Sequence, residues 1–291
     1  MRNTLTIIAL AGIGAGTLAL TGCDSNNSNN TTGNPSDKVK YGLNDTGVTQ
    51  AMSTNTPISA SVAQPPTINS PPATDHPGQD ANQGRDTTAN NDSDGRAGFS
   101  FTKLDDVGKP LANQQADYAT QPWHCVRDNV TGLIWEVKTT NSGLRGFTNK
   151  YTWYDPNAST NGGDAGSVGP SDKCGGLANC NTDEYRRFLD AFDNGKGLCG
   201  FKHWRAPTRE ELRSILDYGI VGSKTVAMID KRFFNDTYPG DHWTSQTAYY
   251  NTTNSRFSAS EAWEIHFDGG ESESHPKSST EVTVRLVHDM D

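Results

Sequence analysis

Residues 123–138 read WHCVRDNVTGLIWEVK, and this run decides the fold. Two short apolar stretches, His124–Arg127 and Leu133–Glu136, flank Asp128-Asn129-Val130-Thr131-Gly132. Asp and Asn start turns, and Gly132 can take positive φ, so the run predicts a β-hairpin. Upstream, Phe99 and Phe101 alternate with polar residues between Gly98 and Asp105, which fits an opening strand. Downstream, Tyr151–Tyr154 is a further short strand candidate. A Gly-rich loop follows from Asn157 to Asn179.

Two helices are predicted beyond that loop. Asn181 or Thr182 can cap the first, with Glu184 three residues after Asn181. Tyr185, Phe188, Leu189 and Phe192 fall at i, i+3, i+4 and i+7 and form one apolar face, and Asn194-Gly195 ends it. Thr208 with Glu211 makes a capping box for the second helix, which starts at Ala206-Pro207, buries Leu212, Ile215 and Leu216, and closes at Gly219. Residues 242–245, 262–267 and 282–287 read as three more strands. The predicted class is α+β, two helices against a mostly antiparallel sheet with long loops.

The N-terminus organises the rest of the chain. Arg2 precedes an apolar run from Leu5 to Leu20, too short for a spanning helix, which is signal-peptide architecture. Leu20-Thr21-Gly22-Cys23 resembles the bacterial lipobox. That resemblance implies cleavage after residue 22 and acylation of Cys23, with two or more chains giving a stable bilayer anchor. The expected location is the bacterial cell envelope, extracytoplasmic and lipid-anchored. Asp24 resembles the inner-membrane retention signal, and inner against outer membrane stays open.

Residues 23–97 are rich in Asn, Ser, Thr, Asp and Pro, and between Cys23 and Arg96 the only aromatic is Tyr41. A segment without large apolar side chains cannot offset its ordering entropy, so this stretch is predicted to be a disordered tether. It has neither heptads nor a G-X-Y repeat. All six Trp lie beyond residue 120, which places a single globular domain at 98–291. That domain carries 20 basic against 26 acidic residues, and the tether is also acidic. No nucleic-acid footprint is present.

Four cysteines remain after Cys23: Cys125, Cys174, Cys180 and Cys199. An even number in an exported domain points to disulfides. Four cysteines allow three pairings. Cys174–Cys180, a small loop clasp, with Cys125–Cys199, pinning the hairpin to the segment between the helices, is the favoured one. Zinc is the alternative, but there is no C-x-x-C pair and no His at ligand spacing from another, so no metal site is expected.

The run at 123–138 combines with LCGFKHWRAPTREEL (198–212), HWTS (242–245), AWEIHF (262–267) and VRLV (284–287). In order and spacing these five motifs resemble a bacterial family named after the C-terminal domain of the Legionella collagen-like adhesin. The resemblance covers about residues 97–290 and implies a C-type-lectin-like fold and, from the named adhesin, sulfated glycosaminoglycan as a ligand class. The run WRAPTREEL is also similar to a helix start in formylglycine-generating enzymes.

Function is then expected to be binding, not catalysis. No G-x-S-x-G, H-E-x-x-H, P-loop or dinucleotide fingerprint occurs, and the cysteines are better explained as structural than as reactive thiols. The strands bearing Trp243 and Trp263 also carry Asp241, His242, Glu264 and His266, which with His203 would share one neighbourhood. Arg186, Arg187, Arg205, Arg209 and Arg213 belong to the two helices and offer a local basic patch. The candidate ligand-binding residues are therefore Asp241, His242, Trp243, Glu264, His266, Arg205 and Arg209. A His beside a Trp is more often packed than liganded, and helix arginines are more often solvated. Trp135, Trp204 and Trp263 sit in apolar-patterned segments and are assigned to the core. No cofactor is expected, although the oxygen-rich loops 157–179, 236–241 and 251–261 could hold Ca²⁺. The expected partners are the bilayer, through Cys23, and a glycan or surface polymer, with an envelope protein as the alternative.

Overall fold

The computed structural model describes residues 44–49, 80, 84–89, 91–140, 143–248 and 258–290. Cys23 and the signal segment lie outside the described residues. Among the described residues seven strands are formed: β1 (Phe101–Leu104), β2 (Cys125–Asp128), β3 (Leu133–Glu136), β4 (Asp241–Thr247), β5 (Glu261–His266), β6 (Ser272–Pro276) and β7 (Val287–Asp289). The helices are α1 (Asp86–Ala89), α2 (Thr182–Gly195) and α3 (Arg209–Arg213). The class is α+β, as expected, but the strands divide into two antiparallel sheets, ordered β1-β2-β3-β7 and β4-β5-β6.

The hairpin forms as read. Asp128 Oδ1 accepts the backbone N–H groups of Val130 (2.9 Å) and Thr131 (3.2 Å), and Gly132 takes φ +76°. That side chain replaces the backbone partners a tight turn cannot provide. β3 is buried on both faces: Leu133, Trp135 and Val137 enter one apolar cluster while Ile134 enters the other. This is why its sequence is a continuous apolar run and not an alternation. The first cluster gathers Phe99, Phe101, Trp123, Leu212, Phe233, Phe234 and Phe267. The second gathers Tyr151, Trp153, Tyr185, Trp204, Trp243 and all four cysteines. Both expected disulfides form, Cys125–Cys199 and Cys174–Cys180.

Asn181 caps α2 through its side chain, which accepts from Glu184 N at 2.8 Å, and Tyr185 and Leu189 are buried. Asp193 and Asn194 take φ of +47° and +57° and end the helix where Asn-Gly predicted. α3 has its capping box but stops after Arg213, well short of Gly219. Tertiary partners take the backbone groups a longer helix would need: Asp217 N donates to Met228 O (2.9 Å) and Tyr218 N to Thr46 O (2.8 Å).

The expected strand at 282–287 is a stitch between the sheets. Trp243 N donates to Thr283 O (2.9 Å), Thr283 N to Asp241 O (2.9 Å) and Glu136 N to Leu286 O (3.1 Å). Its side chains still keep period two, since Val282, Val284 and Leu286 are all buried in the second cluster. Tyr151–Tyr154 makes isolated bridges, not a strand. β6, polar throughout, was not foreseen.

Composition assigns residues up to 97 to the tether, and among the described ones 44–49, 84–89 and 91–97 are bonded to one another and to the domain. Arg96 grips Asp217 with two bonds (2.6 and 2.7 Å) and donates to Gly47 O (3.1 Å). Asn44 Nδ2 donates to Asp128 Oδ2 (2.8 Å), and Asp45 Oδ2 accepts from Asp86 N (3.0 Å). The described part of this compact unit therefore includes residues from Asn44 onward. Polar side chains hold these segments, a signal that hydrophobic periodicity does not carry. Among the described residues, no helix is long and apolar enough to cross a membrane.

Candidate functional site

β5 places two different sites on its two faces, because successive strand residues point to opposite sides. On one side Trp263 lines a cleft of about 980 Å³. The cleft is completed by the 153–162 segment, the start of α2, the 205–209 segment and residues 245–247 of β4. Five of the six Trp are fully buried, whereas Trp263 is half-buried, which corrects its assignment to the core. The Arg209 guanidinium lies 4.8 Å from the Trp263 ring centroid. α3 packs on β4 and β5, and the backbone N–H of Arg209 donates to Gln246 Oε1 (2.9 Å), so cap and strand fix this pair together.

The opposite wall is preformed. Lys277 Nζ donates to the carbonyls of Asn161 (2.9 Å) and Asp164 (2.6 Å) over the Trp153 ring, and Thr247 Oγ1 donates to Asn161 O (2.9 Å). Asp155 accepts from Asn157 N (2.9 Å) and Thr160 Oγ1 (2.6 Å). Gly166 has φ +83°, and a Cβ there would stand 2.2 Å from Trp153 O. The loop at 155–166 is thus held before any ligand arrives, which lowers the ordering cost of binding.

The expected basic patch is largely neutralised. Arg186 pairs with Asp183 (2.7 Å) and Asp190 (3.0 Å), and Arg187 with Asp183 and Glu184. Arg205 is clamped by Glu211 (2.7 Å) and Asp289 (2.5 Å), so it joins α3 to β7 at the rim of the cleft. Arg209 has a longer pairing, 3.4 Å to Glu210.

On the other side of β5 the structure gathers Asp241, Glu264 and His266. His266 Nδ1 is 3.0 Å from Asp241 Oδ1, and its Nε2 is 3.5 Å from Glu264 Oε1. β6 adds His275, whose Nδ1 is 3.3 Å from Glu264 Oε1, and Glu273. Burial, with Asp241 and Glu273 alongside, pushes the Glu264 carboxyl up to about 8. Burial likewise pushes Lys150 down to about 8, and its ammonium sits 3.4 Å from the Tyr238 ring centroid.

The seven expected residues therefore divide. Arg205 and Arg209 reach the cleft, and Asp241, Glu264 and His266 form the cluster. His242 and Trp243 are buried core residues and stand in neither the cleft nor the cluster. The His242 ring packs 4.2 Å from Phe267 and its Nδ1 faces Gly240 O at 2.9 Å, while Trp243 Nε1 donates to Tyr151 O (2.7 Å). His203 is exposed and stands outside the cluster. Sequence reading missed Asp155, Gln246 and His275, and named Asn157 only as the start of an oxygen-rich loop. The i, i+2 spacing of Glu264 and His266 on a strand was the available signal for the cluster.

The family model described as the Lcl C-terminal domain matches residues 124–288. The chain belongs to this family. No curated protein and no solved structure matches it. As an Lcl C-terminal domain, it is an adhesin-like module. The matched range contains both faces of β5, with the cleft residues and the cluster. The segments at 44–49 and 84–97 lie before it.

Proposed function

We propose that this chain is a membrane-anchored, extracytoplasmic binding module whose cleft recognises a glycan or surface polymer. One observation carries the reading: the half-buried Trp263 ring under the Arg209 guanidinium lines a preformed cleft rich in carboxylates, amides and hydroxyls. An aromatic face with polar groups around it suits the apolar face and hydroxyl rim of a sugar. Because most cleft-side arginines are matched by carboxylates, a neutral or mixed-charge glycan suits the cleft better than a dense polyanion. The lipobox-like Leu20–Cys23 supports the anchor, and the absence of catalytic fingerprints supports binding over turnover.

The test screens the full chain against neutral glycans, sulfated glycosaminoglycans and peptidoglycan fragments, with Trp263→Ala and Arg209→Ala beside the natural sequence. Saturable binding that W263A weakens by about tenfold or more is expected, the scale of an aromatic hot spot. Binding that both variants retain would remove the cleft from the reading. A flat screen alongside a specific crosslinked envelope protein would replace glycan with protein as the partner.

A further inference from the structure

The geometry points to a divalent transition-metal site on the far side of β5, formed by Asp241, Glu264 and His266 with His275 beside them. Three observations meet there. The first is donor spacing. One donor atom from each of Asp241, Glu264 and His266 lies within 4.8 Å of the others. His266 presents Nδ1 3.0 Å from Asp241 and Nε2 3.5 Å from Glu264, of which one ion takes a single nitrogen, and His275 Nδ1 lies 3.3 Å from Glu264. Four donors around zinc at about 2.0–2.2 Å stand roughly 3.3–3.6 Å from one another, so drawing this set onto one ion takes side-chain shifts of about 1 Å.

The second is an orphan. The Glu264 side chain is 1 % exposed, yet its Oε2 has no hydrogen-bond partner. A buried carboxylate oxygen without a partner is costly, and a cation would satisfy it. Lys150 is the nearby candidate for that role, but its Nζ also lacks a hydrogen-bond partner and lies over Tyr238. The third is access. Asp241 and His266 side chains are about a quarter exposed, so an ion can enter from solvent and keep a water on its open side.

The donor set also selects the ion. Imidazole nitrogen with carboxylate suits zinc and its neighbours, while calcium takes six to eight oxygens. The ion would tie β4, β5 and β6 together, since the four residues come from all three strands.

The experiment takes the full chain, strips it with chelator, and titrates Zn²⁺ by calorimetry, with Co²⁺ absorption as a report on coordination. Saturation near one ion per chain is expected, with a rise in thermal midpoint. Asp241→Asn and His266→Asn should each weaken binding by about tenfold or more. Glu264→Gln should do the same, and circular dichroism checks that it folds. The two partly exposed positions keep the test decisive if that buried change disrupts folding. Absence of saturable Zn²⁺ binding would overturn the site, as would undiminished binding in both D241N and H266N. Displacement of Zn²⁺ by equimolar Ca²⁺ would overturn the assigned ion class.

Discussion

Trp135 and Trp243 are both fully buried, but only one has its indole N–H matched. Trp243 Nε1 donates to Tyr151 O, whereas Trp135 Nε1 has no partner. Replacing each by Phe removes similar volume, but only Trp243→Phe strands a buried carbonyl. We expect W243F to cost about 1–2 kcal/mol more than W135F in denaturant unfolding. His124 makes a second case. Burial, then the Arg145 guanidinium 3.2 Å from its Nδ1, lowers its pKa below the ordinary 6.5. Between that lowered value and about 6.5 the unfolded chain binds more protons, so stability falls as pH drops through this window. H124N should flatten that part of the stability profile relative to the natural sequence. Part of the family motifs describes the interior. Glu136 accepts from Tyr185 and contacts Lys138 at 3.2 Å, while Arg285 Nη1 donates to the carbonyl of Glu136 (2.5 Å). Those charged residues read as motifs because a buried network tolerates little change. The cleft residue Asp155 sits in a loop, and no pattern marks it.

At the scale of elements, capping chemistry was legible and helix length was not. Asn181, Thr208 and Glu211 act as read, since a cap depends on three or four neighbouring residues. The end of α3 depends on Met228 and Thr46, far away in sequence, and β6 exists because β5 offers it an edge. The disulfides were legible because four cysteines allow only three pairings. Their separations, 74 and 6 residues, set their different weights. Loop-closure entropy predicts that removing Cys125–Cys199 by paired Ser substitution costs about 4 kcal/mol, and removing Cys174–Cys180 about 2 kcal/mol. Unfolding midpoints of the two variants measure this. Equal losses would mean that local packing, not chain entropy, dominates.

At the scale of the molecule, composition separates an aromatic-poor stretch from the Trp-bearing part of the chain. Asn, Asp and Arg side chains fasten the described residues before Gly98 to the domain, a polar signal that hydrophobic periodicity does not register. A chain starting at Gly98 loses the Arg96–Asp217 pair, in which Asp217 is 1 % exposed. Leaving that carboxylate unpaired should lower stability by about 3 kcal/mol relative to a chain starting at Tyr41, as read from thermal unfolding. Equal midpoints would mean that the early segments only decorate the surface.

The bond between Cys125 and Cys199 has one more outcome, when a protease meets the molecule. It closes a stretch that contains the 155–166 loop, α2 and the second disulfide. A single cut anywhere inside that stretch leaves two fragments joined through sulfur, and a cut between residues 174 and 180 is bridged locally as well. The nicked protein would run at full size on a non-reducing gel and fall apart only when thiol is added.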